Sequence, residues 1–429
     1  ASYTKWLQNT LNKKLFILEL GEGFEVPSLF RWPFEKMAFY NEKATFVRVH
    51  HSLYQIGKEI KERGFHKVLI HYGGTFLEEN GVLDTVHESL RDAGLEYIDF
   101  DGVIPNPKLK RAQEGVKICQ RENVDFILAI GGGSAIDSAK AIAYGVANDF
   151  PLEDLFLGKV TTTQIAPMGC ISTIAATGSE TSNSTVIDIE TQDQGILKRS
   201  YNHDCARPLF AIMNPELTYT LPMYQTCSGA ADIMMHTMER YFTNVTDVQL
   251  IDRISEGLLV TVKEEALKII HDPQNYEVRA NLMWAGSLSH NGLTGTGRIG
   301  DFATHKIGHE LSAMFDATHG ASLTAVWSSW AKYVYKTNIE RFAQFAVNVF
   351  AIEPNYYNLE ETALKGIEAW DQWCHQIGMP TTLKELNIIP THEQIEEMAE
   401  KAADTGHGVI GGFMQLKKDD IIQIYQMAL

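Results

Sequence analysis

The stretch DFILAIGGGSAIDSAKAIA, Asp125 to Ala143, constrains the fold more than any other part of the chain. An apolar run of strand length leads straight into glycines, and a segment of helical period follows. Glycines after a strand let the backbone approach a ligand closely. A helix starting at Ser134 then points its unpaired N–H groups and the positive end of its dipole at the same spot, which suits a phosphate. The spacing is neither GxGxxG nor a Walker motif, because no Gly-Lys-Ser/Thr follows. The plain alternative is a tight turn with glycines used only for backbone freedom. Two other segments weigh against it. STIAATGSETSN is a run of small hydroxyl-bearing residues able to line a nucleotide. KVLIHYGGTF sets Gly73, Gly74 and Thr75 just after an earlier strand, where an adenosine ribose sits in a doubly wound fold.

From about His66 to Ile130 the apolar runs KVLIHY, LEYIDF and DFILAI alternate with helical-period segments around Val82–Ala93 and Lys108–Glu122. That repeat predicts a parallel sheet with helical crossovers. Past Asn214-Pro215 the pattern changes to long amphipathic stretches such as GAADIMMHTMERYF, QLIDRISEGLLVTVKEEALKII and ETALKGIEAWDQWCHQIG, which read as helices. The expected organisation is a lead of no assigned role at 1–36, an α/β dinucleotide-binding domain at 37–214 and an all-helical domain at 215–429. A chain of 429 residues is long enough for two cores.

Composition removes several classes of function. The net charge is −17, and no dense Lys/Arg block occurs, so nucleic acid and anionic membranes are poor partners. The longest apolar runs are strand-length, and the N-terminal ASYTKWLQNT lacks a basic segment followed by an apolar core. The five cysteines are widely spaced with no CxxC pair, which points to reduced, cytoplasmic thiols.

DFATHKIGHELSAMFDATHG places His305, His309 and His319 within twenty residues. His305 and His309 are four apart and share a helix face, as do Asp232 and His236 in GAADIMMHTMERYF, where Met234, Met235 and Met238 mark a buried helix. Any one of these histidines alone reads best as a hydrogen-bonded core residue. Two such polar pairs on apolar helices are hard to explain as packing, because each unpaired buried polar group costs about 1–3 kcal/mol. One Asp with two or three His forms a nitrogen and oxygen site that suits Zn²⁺ or Fe²⁺. On spacing alone, His305 and His309 could both be ligands.

Together IGGGSAID, ATGSE, Asp232-xxx-His236 and His305-xxx-His309 with His319-Gly320 resemble the iron-containing, or group III, alcohol dehydrogenases, in their butanol dehydrogenase and aldehyde reductase branch. The resemblance runs from about Met37 to the C-terminus, thinning after Trp330. It implies that Asp232, His236, His305 and His319 hold one divalent metal, Fe²⁺ or Zn²⁺, and that His309 faces the nicotinamide and substrate. It further implies that Gly131, Gly132, Gly133 and Ser134 meet the pyrophosphate with Asp137 in the same turn, and that Thr173, Thr177 and Lys198 lie along the nicotinamide half. A homodimer with its active site in the interdomain cleft is implied as well.

The expected chemistry is reversible reduction of a small uncharged aldehyde to a primary alcohol, with hydride from the nicotinamide, the carbonyl oxygen polarised by the metal and His309 or a water passing the proton. The helices around the motifs carry Leu293, Phe302 and Met314 and no Arg/Lys cluster, which favours uncharged substrates. An acidic residue that would select NAD is absent at Gly74, while Glu78 and Glu79 stand where lysines would favour a 2′-phosphate. The balance favours NADP, with NAD also used. The alternatives are a synthase of the dehydroquinate synthase type, which would call for more Lys and Arg near the metal, and a non-catalytic nucleotide-binding protein, which has no use for four convergent ligands.

Overall fold

β3 (Lys67–Tyr72) and β5 (Phe126–Gly131) are buried along almost their whole length, as parallel strands covered on both faces must be. They are the centre of a seven-stranded sheet in a computed structural model that describes residues 15–20, 44–49 and 55–429, apart from 75, 192 and 194. Thr75 and most of the lead at 1–36 lie outside the described residues. With β1 (Leu15–Leu20), β2 (Ala44–Val49), β4 (Glu96–Phe100), β6 (Met168–Ser172) and β9 (Phe210–Met213), the order is β1-β2-β9-β6-β5-β3-β4, and every pairing is parallel. The lead thus contributes an edge strand. β7 (Ser184–Thr191) and β8 (Gly195–Asn202) form a separate two-stranded sheet.

The helices α1 (Ile56–Glu62), α2 (Val82–Asp92), α3 (Leu109–Glu122) and α4 (Gly133–Ala147) alternate with these strands. Apolar spacing explains them. In α3 the buried residues Leu109, Ala112, Gly115 and Cys119 recur at helical intervals while the opposite face is charged, and Asn123 ends the helix in the left-handed conformation. α4 is short of charge and buried from Ala135 to Gly145, including the side chain of Lys140.

The chain divides into two compact units: residues 1–173, 179–189 and 200–218, then 174–178, 190–199 and 219–429. The second is built from α5 (Met223–Tyr241), α6 (Gln249–Ile269), α7 (Tyr276–His290), α8 (Ala303–Phe315), α9 (His319–Val334), α10 (Ile339–Phe350), α11 (Leu359–Gln376), α12 (His392–Asp404) and α13 (Lys418–Met427). Its core is aromatic. Phe242 lies 4.5 Å from Phe342 and 5.8 Å from Trp327, ring centre to ring centre, and all three are essentially inaccessible to solvent. α5 runs through this core and is buried from Thr226 to Glu239, so its polar residues face protein on every side. Among the described residues no helix is long and apolar enough to cross a membrane, and all five cysteines are free.

Candidate functional site

Three helices of the second unit bring the histidines together. Asp232 and His236 come from one face of α5, His305 from the first turn of α8, and His319 is the first residue of α9. Gly320 permits this placement, because a Cβ there would stand 2.0 Å from the Ser228 carbonyl oxygen of α5. Ligand atoms of Asp232, His305 and His319 all lie within 4.8 Å of one another. Asp232 Oδ1 is 3.4 Å from His236 Nδ1, 3.7 Å from His305 Nε2 and 3.6 Å from His319 Nε2. His309 stands beside this group, its ring 5.2 Å from that of His319 and 6.2 Å from that of His305.

Hydrogen bonding decides how to read the cluster. Asp232 Oδ1, His236 Nδ1, His305 Nε2 and His319 Nδ1 are buried without a hydrogen-bond partner. At about 1–3 kcal/mol each, four such atoms would consume much of a domain stability of about 5–15 kcal/mol. A divalent cation met by Asp232 Oδ1, His236 Nδ1 and His305 Nε2 would remove most of that cost, and with His319 Nε2, 3.6 Å from Asp232, this nitrogen and oxygen donor set fits Fe²⁺ or Zn²⁺. Burial keeps most of these imidazoles in the neutral form that ligation needs. Burial, then the neighbouring His290 and His305, holds His236 well below its usual pKa. Burial lowers His319 to about 4 against the opposing pull of Asp232. His309 is also held well below its usual value, by burial, His319 and Lys198. Burial works to lower His305 too, but Asp232 and Glu239 outweigh it and raise the ring to about 9.

Several residues that spacing did not single out complete the centre. Glu239 accepts the Nδ1 hydrogen of His305 at 2.9 Å. His290 lies over His236 with ring centres 4.1 Å apart, and its Nδ1 donates to the Thr177 carbonyl at 2.7 Å. Thr177 and Lys198 therefore both belong to the metal-bearing unit, where Lys198 and Arg199 of β8 act electrostatically on His309. The buried Glu310 stands 3.7 Å from Arg199. Glu239 had a signal in the sequence, lying three residues after His236 and seven after Asp232 on the same helix face.

The first unit gathers the glycine turns. β3 pairs with β5, with Tyr72 opposite Ile130. The chain moves outward from β3 to β4 and, on the other side, from β5 to β6. Gly73-Gly74 and Gly131-Gly132-Gly133 therefore emerge side by side at the switch point of the sheet, where doubly wound folds bind nucleotides. Gly131 has φ +151, Gly132 is extended, and no side chain caps the first turn of α4 at Gly133 and Ser134. The Thr173 N–H donates to the Gly131 carbonyl at 3.1 Å, and its hydroxyl is buried without a partner. Asp137 accepts from the Ser179 hydroxyl at 2.5 Å and the Val186 N–H at 3.1 Å, so its carboxylate braces the turn from within the protein. Lys140 donates to the carbonyls of Ser179, Ser182 and Ser184 and fastens the same segment to α4.

Residues 44–215 match the family described as iron-containing alcohol dehydrogenase, and residues 226–429 match the C-terminal domain of that Fe-containing alcohol dehydrogenase family. The chain belongs to the iron-containing alcohol dehydrogenases. This alcohol dehydrogenase is 37% identical to a probable NADH-dependent butanol dehydrogenase 2 of Bacillus subtilis, over 92% of the chain and 100% of the relative. It is 34% identical to the NADPH-dependent aldehyde reductase YqhD of Escherichia coli, over 84% of the chain and 92% of the relative. The crystal structure of NADH-dependent butanol dehydrogenase A from Thermotoga maritima superposes with a TM-score of 0.83 at 33% identity, covering 96% of each chain. The alcohol dehydrogenase is thus an NAD(P)-dependent oxidoreductase in the butanol dehydrogenase and aldehyde reductase branch.

Proposed function

We propose that this alcohol dehydrogenase interconverts small uncharged aldehydes and primary alcohols by hydride transfer at a single divalent metal. The observation that carries the reading is the approach of Asp232, His305 and His319 to within 4.8 Å of one another, atom to atom, with His236 Nδ1 3.4 Å from the same Asp232 oxygen. A bound Fe²⁺ or Zn²⁺ supplies Lewis-acid polarisation of a carbonyl oxygen, and the reduced nicotinamide supplies the hydride. The chain's own residues do the rest. Asp232, His236, His305 and His319 hold the ion. His309, kept neutral by burial, accepts or returns the substrate proton at an imidazole nitrogen.

In this reading residues 37–214 bind the nucleotide and 215–429 the metal, with 1–36 preceding both. Gly131, Gly132, Gly133 and Ser134 cradle the pyrophosphate, Asp137 braces that turn, and Gly73, Gly74 and Thr75 receive the adenosine ribose. Thr173, Thr177 and Lys198 contact the nicotinamide half. The 2′-phosphate of NADP is tolerated because Gly74 is exposed and carries no carboxylate, so NADP is favoured and NAD also used. The assembly is a homodimer, which light scattering checks.

The test is NADPH oxidation by purified, metal-loaded enzyme with a panel of aldehydes from propanal to longer chains, together with glyceraldehyde and one carboxylated aldehyde. Turnover of the uncharged aldehydes that a chelator abolishes is the expected result. Lys198 and Arg199 give the carboxylated member its place in the panel, since turnover confined to it would replace the uncharged substrate class with an anionic one.

A further inference from the structure

Glu239 is buried at 3% exposure on the α5 face that carries Asp232 and His236. A single oxygen of its side chain, Oε1, accepts two hydrogen bonds from one residue: the His305 backbone N–H at 2.8 Å and the His305 ring Nδ1 at 2.9 Å. A carboxylate oxygen accepts and does not donate, so the hydrogen belongs to Nδ1. The opposite nitrogen, Nε2, is then the one turned toward Asp232 Oδ1, at 3.7 Å, and it is buried without a hydrogen-bond partner. The same glutamate fixes the approach to α8 through its main chain, because its carbonyl accepts the Asp301 N–H at 2.7 Å. Asp301 in turn accepts from the Ala303 N–H at 3.1 Å and the Phe413 N–H at 2.8 Å.

We propose that Glu239 is a positioning residue for the metal: it holds the His305 ring with Nδ1 protonated and Nε2 directed at the ion, and thereby sets how tightly the ion is held. The proposal rests on the metal reading above. Ligating histidines gain basicity and a fixed ring orientation when their second nitrogen donates to a carboxylate, and losing such a partner weakens metal binding by about 10–100-fold. A purely structural Glu239, tying α8 to α5, would instead change stability and leave metal affinity alone.

The experiment uses the full chain, stripped with chelator and titrated with zinc against a competing chromophoric chelator. Wild type, Glu239→Ala and Glu239→Gln are compared, with thermal unfolding recorded for each. Glu239→Ala is expected to weaken zinc binding by about 10–100-fold. Glu239→Gln keeps an acceptor oxygen and is expected to recover most of that loss. In ¹⁵N NMR of histidine-labelled wild type, assigned with His305→Gln, the His305 Nδ1 should be protonated both with and without zinc. Unchanged zinc affinity in Glu239→Ala, or a His305 ring with a bare Nδ1, overturns the proposal. Should Glu239→Ala fail to fold, zinc binding by Glu239→Gln as weak as by a His305→Gln control overturns the proposal, because the acceptor oxygen is retained, and the wild-type spectrum stands independently. A wild-type chain that takes up no zinc and no Fe²⁺ overturns the metal reading itself.

Discussion

Gly73 and Val103 approach so closely that a Cβ added to Gly73 would stand 2.0 Å from the Val103 carbonyl oxygen. Backbone meets backbone there, so no flexible side chain can move aside. Gly73→Ala should therefore displace the turn after β3, destabilising the chain by about 1–3 kcal/mol and weakening nucleotide binding. Urea unfolding and NADPH fluorescence titration measure the two effects, and wild-type behaviour in both would show that the turn has room to spare.

Removing a ligand should separate metal from nucleotide. Asp232→Ala or His319→Ala is expected to lose bound metal and turnover together while NADPH still binds, because the glycine turns belong to the other unit. Metal analysis of the purified variants, alongside cofactor titration, checks this. Full metal content in either variant would remove that residue from the ligand set.

His309 should behave differently from its neighbours. Its ring lies beside the cluster, 5.2 Å from that of His319, and no nitrogen of it pairs with Asp232 as those of His236, His305 and His319 do. His309→Ala is expected to keep stoichiometric metal and lose about 10²–10⁴-fold in rate. Metal loss would make it a ligand, and a normal rate a bystander.

A pH effect on stability follows from His71. Burial, with only partial opposition from its 2.9 Å hydrogen bond to the Phe100 carbonyl, lowers it from 6.5 to about 4. Between those values the unfolded chain binds more protons than the folded one, so stability rises with pH. The contribution is present in full above pH 6.5 and lost as the pH falls through about 4. Its full size is on the order of 3 kcal/mol. His71→Gln should narrow the difference between urea midpoints at pH 5 and pH 7, whereas an unchanged difference would assign the pH dependence to other groups.

In the proposed reading cofactor choice turns on Gly74, which has φ +84, a conformation that Asp and Asn adopt more readily than other side chains. Gly74→Asp places a carboxylate where it can bond the ribose 2′-OH and repel a 2′-phosphate. The ratio of kcat/KM for NADPH over NADH should fall by about tenfold or more, the equivalent of roughly 1.4 kcal/mol. A ratio that does not move would place the ribose elsewhere.

Helical spacing is a local signal, so Asp232 to His236 and His305 to His309 announce shared faces without knowledge of the fold, whereas the approach of His319 to Asp232 and His305 depends on how α9 meets α5 and α8. The strand alternation from Lys67 to Gly131 was equally plain. Other contacts depend on partners far away in the chain. That Lys140 is ringed by the serine segment, that His71 bonds Ser138 at 2.8 Å, and that Arg199 faces Glu310 are consequences of tertiary folding alone. β1, LFILEL, was missed for a different reason. LFILEL is an apolar run like KVLIHY and DFILAI, but the stretch after it, with Gly21, Gly23, Pro27 and Pro33, carries no helical period to mark a β-α repeat.

The order of the strands also sets a timetable for assembly. β3, β4 and β5 pair with one another within one stretch of about sixty residues, whereas β2 finds its inner neighbour only at Phe210–Met213, with Phe46 opposite Phe210. As the chain leaves the ribosome, β2 therefore lacks its inner neighbour while more than a hundred later residues are synthesised. Such long-range closure is slow, and an open strand edge in the interval is a template for pairing with other nascent chains. Folding of this sheet therefore closes last at β9, between β2 and β6.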